Sequence, residues 1–187
     1  KLLKELESFD RQPSHDEQMV LAKYVGWGGL ANAFDVANTE WKKESAELRE
    51  VLTADEYKAA RESVTSAFYT SPEITAEINN IIMKLGINEG KLIEPSMGTG
   101  NFLGTLKGNF NVKGVEIDSL TGRIARRLYP NADITINGYE KVRIKDNEYD
   151  LAVGNVPFGS YSVVDKTGRY DDKLLIHNYF FYFTRIF

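Results

Sequence analysis

Hydrophobic and polar positions divide the chain into a helical first third and a longer part in which strands and helices alternate. Residues 1–65 are mostly polar and show few strand signals. Between residues 47 and 61 the apolar positions are spaced to share one helical face; they are Leu48, Val51, Leu52 and Tyr57. A glycine-rich break around Trp27 indicates a tight turn that the tryptophan anchors. We therefore expect residues 1–65 to form a helical N-terminal extension.

A well-marked helix opens the second part of the chain. Ser71 can cap its first turn, and Pro72 suits the first helical position. Gly86 ends the helix in the usual way. Apolar residues recur along it at helical spacing and form one apolar stripe; they are Ile74, Ile78, Ile81, Ile82 and Leu85.

Strand and helix patterns alternate after this helix. The predicted strands are 91–95, 112–117, 133–137 and 149–154. The predicted helices are 102–107, 119–129 and 174–187. Such alternation predicts an α/β core over residues 66–187, with a mainly parallel sheet and helices on both faces.

Composition excludes several classes of protein. The chain of 187 residues has 42% hydrophobic and 27% charged residues, as in an ordinary globular protein. It has no run of 18 apolar residues and no signal-peptide pattern, which predicts a cytoplasmic protein. Without cysteine there is no disulfide and no thiolate zinc site, and His15 and His177 have no metal-ligand spacing. We expect no metal, and we interpret His177 as a hydrogen-bonded structural histidine.

The net charge of −4 argues against a surface that binds nucleic acid as a whole, but it leaves room for a local basic patch. Two basic clusters occur, and we interpret both as solvated faces. The first comprises Arg123, Arg126 and Arg127, and the second Lys166, Arg169 and Lys173.

A glycine loop follows the first predicted strand of the core. Gly98 and Gly100 would let the backbone approach a ligand at the carboxyl edge of the sheet. Glu116, at the end of the next strand, could accept hydrogen bonds from both hydroxyls of a ribose. Taken singly, the glycines could be turn residues and Glu116 a helix cap. Together they predict a site for an adenosine-containing cofactor.

Two residues favour S-adenosylmethionine over a dinucleotide. A dinucleotide site needs a third glycine where this chain has Leu103, with Gly104 one place late. Glu94, which opens the loop, would repel a pyrophosphate but could receive the ammonium of a methionine moiety.

The fourth predicted strand ends in Asn155-Val156-Pro157-Phe158. Here the chain resembles the amino-methyltransferases, whose motif is Asp, Asn or Ser, then two prolines and an aromatic residue. The resemblance implies that Asn155 and a neighbouring carbonyl accept the N–H bonds of the target amine, that Pro157 stiffens the loop and that Phe158 stacks on a flipped base. Val156 replaces the first proline; it still offers a carbonyl, but not the rigidity of a ring.

Further matches resemble the DNA adenine-N6 methylases, which have a Rossmann-like S-adenosylmethionine-dependent core. The segment containing Tyr69 and Thr70 is similar to one that closes over the methionine end of the cofactor. The resemblance also implies cofactor contacts for Phe102, in the helix after the glycine loop, and for Tyr139, which would border the adenine.

The longest resemblance is to large methylase–helicase proteins of phages and plasmids. It is carried by Trp27-Gly28-Gly29, Glu94-Pro95-Ser96, Leu128-Tyr129-Pro130, residues 154–159 and residues 176–181. It implies a bacterial or phage origin, DNA as a partner, and helicase and target-recognition regions downstream. Only about four of the seven strands of the superfamily are visible, so we expect the core to be incomplete at its C-terminus and a poor DNA methylase by itself.

Three functions remain open on the sequence. The first is adenine-N6 methylation of DNA. The second is amino methylation of RNA or of a protein glutamine, whose amide nitrogen needs the same polarisation. The third is a non-catalytic, cofactor-binding module of a larger DNA-processing protein.

Overall fold

The computed structural model describes residues 1–64, 68–165 and 174–184. The chain divides into two compact units, Lys1–Tyr69 and Thr70–Phe187. Within the described residues, no helix is both long enough and apolar enough to span a membrane.

The first unit is helical, as its pattern predicts. Its helices are α1 (Leu2–Ser8), α2 (His15–Leu21), α3 (Lys42–Val51) and α4 (Ala54–Ser63), with a short 3-10 turn at Ala31–Phe34. Capping boxes begin α2 and α4, since Ser14 and Thr53 each exchange hydrogen bonds with a glutamate three residues later.

Trp27 anchors the glycine-rich break of the first unit. Gly26 and Gly29 have φ angles of 73° and 76°, which favour glycine. The Trp27 ring packs edge-on against Phe34 at a centroid distance of 5.5 Å, and Phe34 packs in the same way against Tyr57 at 5.2 Å. The predicted turn is therefore confirmed.

The second unit has the predicted α/β order. Its elements are α5 (Pro72–Lys84), β1 (Glu89–Glu94), α6 (Asn101–Thr105), β2 (Asn109–Glu116), α7 (Ser119–Leu128), β3 (Asp133–Ile136), a 3-10 turn (Tyr139–Lys141), β4 (Leu151–Ala152) and α8 (Ile176–Phe183). The last helix is shorter than the predicted range 174–187, of which residues 185–187 lie outside the described part of the chain.

The four strands of the described residues form one parallel sheet in the order β3-β2-β1-β4. The chain runs outward from β1 to β2 and β3, and then returns to the opposite side of β1 to form β4. Strand order therefore reverses between β1 and β4. In open α/β sheets, ligands bind in the crevice outside the carboxyl ends of the strands at such a reversal.

β4 is shorter than the predicted strand 149–154. Only Leu151 and Ala152 pair with β1, although the N–H groups of Asp150 and Val153 still donate to carbonyls of β1. The Asp150 carboxylate accepts the N–H of Lys91 at 2.8 Å, so a side chain takes the place of one bond of the ladder. The chain then leaves the sheet at Gly154.

Only part of the apolar stripe of α5 is buried. Ile74, Ile81 and Leu85 are each more than half exposed. The buried residues are Thr75, Asn79 and Ile82. The reason is polar contact with α6, whose Phe102 carbonyl and Thr105 hydroxyl accept hydrogen bonds from the Asn79 amide at 2.9 and 2.8 Å.

The hydrophobic core of the second unit lies on two sides of the sheet. The larger cluster joins β1 and β2 to α8 and to the loop after β4; it comprises Ile93, Val115, Tyr139, Val156, Ile176, Tyr179 and Phe180. A smaller cluster joins α7 and β3 to the glycine loop, through Met97, Ala125 and Ile134.

Candidate active site

The glycine loop leaves β1 at the carboxyl edge of the sheet. Its Met97 N–H donates to the Val115 carbonyl of β2 at 3.0 Å, which ties the loop to the neighbouring strand. Gly98 and Gly100 have φ angles of 57° and 89°, and Gly100 caps the start of α6. The loop therefore has the strand–turn–helix form that the sequence predicts.

Tyr129, at the end of α7, explains two glycines of this region. A Cβ atom on Gly100 would stand 2.5 Å from Cε2 of Tyr129, and one on Gly104 would stand 2.7 Å from its hydroxyl oxygen. Gly104 thus makes room for the phenol ring of Tyr129. The glycine that comes one position later than in a dinucleotide motif therefore has a role in packing. The sequence did not single out Tyr129 as a neighbour of the loop.

Glu116 ends β2 with its carboxylate turned to the glycine loop. Its two oxygens accept the N–H groups of Gly98 and Asp118, each at 2.8 Å. Burial raises the pKa of Glu116 to about 7, although these backbone hydrogen bonds act in the opposite direction. The carboxyl group is fixed at the position where the sequence places a ribose.

Glu94 is the most buried acid of the site, with 1% of its surface exposed. Burial raises its pKa well above the usual value, and the nearby Glu116 carboxylate adds to the effect. Among the described residues, its Oε2 atom and the Thr99 hydroxyl have no hydrogen-bond partner. Two unsatisfied buried oxygens beside a glycine loop fit a ligand that brings hydrogen-bond donors and positive charge.

The Asn155–Phe158 loop begins beside the glycine loop. Gly154 lies against Glu94, since a Cβ atom there would stand 3.4 Å from Cγ of Glu94. Asn155 is exposed and Pro157 is half-buried. The loops after β1 and β4 therefore meet at the reversal of strand order.

Val156 stands where the motif has its first proline, and packing restrains its backbone in place of a ring. Its side chain is 8% exposed and belongs to the core cluster of Ile93, Ile176 and Phe180. Packing against α8 and β1 thus restrains the loop at Val156, where the sequence alone does not predict a rigid backbone.

Phe158 is 69% exposed, which is unusual for a phenylalanine. Its ring stacks on His177 of α8 with a centroid distance of 5.7 Å and an interplanar angle of 27°. The buried Nδ1 of His177 has no hydrogen-bond partner among the described residues.

The other sequence-predicted cofactor residues are more scattered. Tyr69 belongs to the first unit, where its ring lies against Gly26. The Thr70 carbonyl accepts the Asn101 side-chain amide at 2.8 Å, so it is tied to the start of α6. Phe102 is buried in α6.

Tyr139 lies in the aromatic core rather than at an open edge of the sheet. It is 5% exposed, and its ring stacks on Phe180 at a centroid distance of 4.8 Å. The structure thus offers no exposed face of Tyr139 to an adenine.

Of the basic clusters, the first is partly structural. The Arg126 guanidinium donates to the Ile134 carbonyl and thereby joins α7 to β3. The second cluster, Lys166, Arg169 and Lys173, lies outside the described residues. Within those residues, no group of three or more histidine, aspartate or glutamate side chains could hold a metal ion.

Comparisons with known proteins give one sequence relative and several structural ones. No protein-family model matches the chain. "Defense against restriction protein B" of Escherichia phage P1 is 31% identical over 115 residues, which are 60% of this chain and 5% of that protein. The chain therefore spans about 5% of the length of this curated relative.

Among solved structures, a protein of Listeria monocytogenes assigned to the class I S-adenosylmethionine-dependent methyltransferases matches with a TM-score of 0.51. The match has 13% identity and covers 96% of this chain and 59% of that one. The methyltransferase subunit of a type I restriction-modification system from Streptococcus thermophilus matches with a TM-score of 0.46 and 18% identity, over 67% of this chain and 32% of that one.

The fold is thus the Rossmann-like fold of class I methyltransferases, as the sequence predicted. The Listeria monocytogenes protein is described as S-adenosylmethionine-dependent.

Proposed function

We propose that this chain binds S-adenosylmethionine and takes part in methyl transfer to the exocyclic N6 amino group of adenine in DNA. One observation carries the proposal. The glycine loop after β1 and the Asn155–Phe158 loop after β4 lie side by side at the reversal of strand order, with Gly154 against Glu94. The loop that we assign to the cofactor and the loop that we assign to the target amine are thereby adjacent.

The cofactor would be held by residues of the second unit. Glu116 is placed to accept the ribose hydroxyls, and the unsatisfied Oε2 of Glu94 to accept the ammonium of the methionine moiety. The backbone at Gly98 and Gly100 leaves space for close approach. When bound, S-adenosylmethionine supplies a methyl group on a positively charged sulfur, which a nitrogen lone pair can attack.

The Asn155–Phe158 loop, here called the acceptor loop, would prepare the target nitrogen. An amino group on a base is a poor nucleophile, because its lone pair is delocalised into the ring. The Asn155 side-chain oxygen and the Val156 carbonyl can each accept one of its N–H bonds, which turns the lone pair out of the ring plane. The exposed ring of Phe158 offers a flat surface on which a flipped base can stack.

DNA is the substrate that we favour over RNA and protein glutamine. The relative of phage P1 is named for defence against restriction, and restriction enzymes act on DNA. The sequence resemblance to methylase–helicase proteins points the same way. We accordingly propose that helicase and target-recognition regions of a longer protein are partners of this chain.

The test compares four proteins for methyl transfer and for cofactor binding: the wild type, Asn155→Ala, Glu116→Ala and Asn111→Ala. Asn111 is an exposed residue near the opposite end of β2 and serves as the matched control. Each protein is given tritiated S-adenosylmethionine with DNA, RNA or a glutamine-containing peptide, and the affinity for S-adenosylhomocysteine is measured by calorimetry.

We expect Asn155→Ala to abolish transfer to DNA and to keep cofactor affinity, because Asn155 acts on the acceptor in the chemical step. Glu116→Ala should weaken cofactor binding by about 1.5–3 kcal/mol, the cost of lost hydrogen bonds to a charged group. Asn111→Ala should match the wild type in both measurements. Transfer to RNA or peptide alone would refute DNA as the substrate. Cofactor binding without any transfer, in this chain and in a C-terminally extended protein alike, would indicate a non-catalytic module.

A further inference from the structure

His177 lies in the first turn of α8, directly behind the ring that we assign to base stacking. The two rings are nearly parallel, with 27° between their planes and 5.7 Å between their centroids. Because Phe158 is 69% exposed, most of its surface remains open although one face lies on the imidazole.

Backbone contacts fix α8 relative to the acceptor loop. The Ile176 N–H donates to the Tyr161 carbonyl at 3.0 Å, and Ser162 and Leu175 form an antiparallel bridge. Ile176 and Val156 lie in the same core cluster. Ile176, next to His177, and Val156, two residues before Phe158, are therefore both held in the core. The backbone on each side of the stacked pair is thus fixed.

The imidazole contributes a flat face rather than a hydrogen bond at its buried nitrogen. Its Nδ1 is shielded from solvent and has no hydrogen-bond partner among the described residues. Stacking on Phe158 is the contact of the imidazole ring that the structure shows. A phenylalanine at position 177, which also has a flat ring, should therefore be able to support Phe158.

We propose that His177 is a positioning residue, which holds the Phe158 ring from behind so that the other face of the ring is ready to stack on a target base. The role in base stacking rests on the proposed function. The orientation of Phe158 by His177 does not, and it can be measured in the absence of substrate.

The experiment uses the whole chain with three substitutions: His177→Leu, which removes the flat ring, His177→Phe, which keeps one, and Asn178→Ala, an exposed neighbour in the same turn. Thermal unfolding checks that each protein is folded; if His177→Leu is not, His177→Gln takes its place. Each protein is labelled with 4-fluorophenylalanine, and the fluorine resonance of Phe158 is assigned by its disappearance in Phe158→Leu. The KM and kcat for DNA are measured in parallel.

We expect the Phe158 resonance of His177→Leu to move toward that of a free fluorophenyl ring, while His177→Phe and Asn178→Ala keep a displaced resonance. The KM for DNA should rise about 2- to 10-fold in His177→Leu, as for the loss of one aromatic pair, and should be restored in His177→Phe. The kcat should change less.

An unchanged Phe158 resonance in His177→Leu would overturn the inference, and so would equal effects of the Leu and Phe substitutions. If neither this chain nor a C-terminally extended protein transferred methyl to DNA, the proposed function would fail, whereas the fluorine measurement would still decide whether His177 orients Phe158.

Discussion

Glu116 is buried and accepts two backbone hydrogen bonds, and these two features have opposite effects on its pKa. Its carboxyl group is removed from water, which favours the protonated form and raises its pKa to about 7. The N–H groups of Gly98 and Asp118 favour the ionised form and offset part of this effect. The folded chain therefore holds a carboxyl group that titrates near neutral pH.

This pKa predicts how stability depends on pH. The unfolded carboxyl group ionises near its ordinary value, whereas the folded one ionises near 7, so its contribution to stability is complete below about pH 4.5 and is lost as the pH rises to about 7. We expect the free energy of unfolding of the wild type, relative to Glu116→Gln, to fall over this interval by on the order of 3 kcal/mol and then to stay level. Urea unfolding at a series of pH values measures the difference, and parallel pH curves for the two proteins would contradict it.

Tyr129 connects two elements at the back of the glycine loop. Its ring, at the end of α7, lies against Gly100, which caps α6, and against Gly104 within α6. The approach is closest between Gly104 and the phenol hydroxyl, which a Cβ atom would meet at 2.7 Å. An alanine at position 104 would therefore require the Tyr129 side chain to shift, unless its hydroxyl were absent.

A double-mutant cycle tests this contact. Gly104→Ala alone should destabilise the chain by about 1–3 kcal/mol, the usual cost of overpacking. In a Tyr129→Phe background the clash is removed, and the same change should be neutral or should stabilise by up to about 1 kcal/mol, because alanine is the better helix former. Urea unfolding of the four proteins gives the two values. The same destabilisation in both backgrounds would show that the hydroxyl is not the obstacle.

The elements that the sequence predicted well are those with a local signal. Glu94, Gly98 and Glu116 follow apolar runs directly, so their place at the carboxyl edge of the sheet could be inferred from their order alone. The full packing face of α5 could not, because the side-chain N–H groups of the buried Asn79 donate to the Phe102 carbonyl and the Thr105 hydroxyl, more than twenty residues later. A polar residue looks like a surface residue until its distant partner is known.

The contacts of Tyr129 and His177 were missed for the same reason. Each comes close to a loop of the candidate site only because the chain folds back across the sheet. The sequence shows the residue types but not the pairs, and no periodic pattern marks a ring that packs behind another ring. Tyr139 shows the converse: its place after β3 suggested a ligand contact, and its burial comes from Phe180 on α8.

At the scale of the molecule, the candidate site belongs to one of the two units. The residues proposed to hold the cofactor, Glu94, Gly98, Gly100 and Glu116, all lie in Thr70–Phe187. We therefore predict that the polypeptide 70–187 binds S-adenosylhomocysteine with the affinity of the whole chain. Calorimetry on both proteins provides the comparison.

Tyr69→Ala in the whole chain is the control, because removing residues 1–69 also removes this predicted cofactor residue. If the polypeptide 70–187 and the Tyr69→Ala protein both bound the cofactor product more weakly than the wild type, the loss would be assigned to Tyr69. A tenfold weaker affinity in 70–187 alone would mean that the helical unit contributes to cofactor binding, contrary to the prediction.

Val156 also determines when the acceptor loop takes shape as the chain folds. A proline ring restricts the backbone even in the unfolded chain, whereas a valine restricts it only after burial. Val156 is buried among residues of β1 and α8, which lie far apart in the sequence. We therefore expect the loop to take its final form only once α8 has packed against β1, and to lose it when α8 undocks. Catalytic competence would then disappear before the helices melt, and resistance to inactivation would depend on how firmly α8 stays docked.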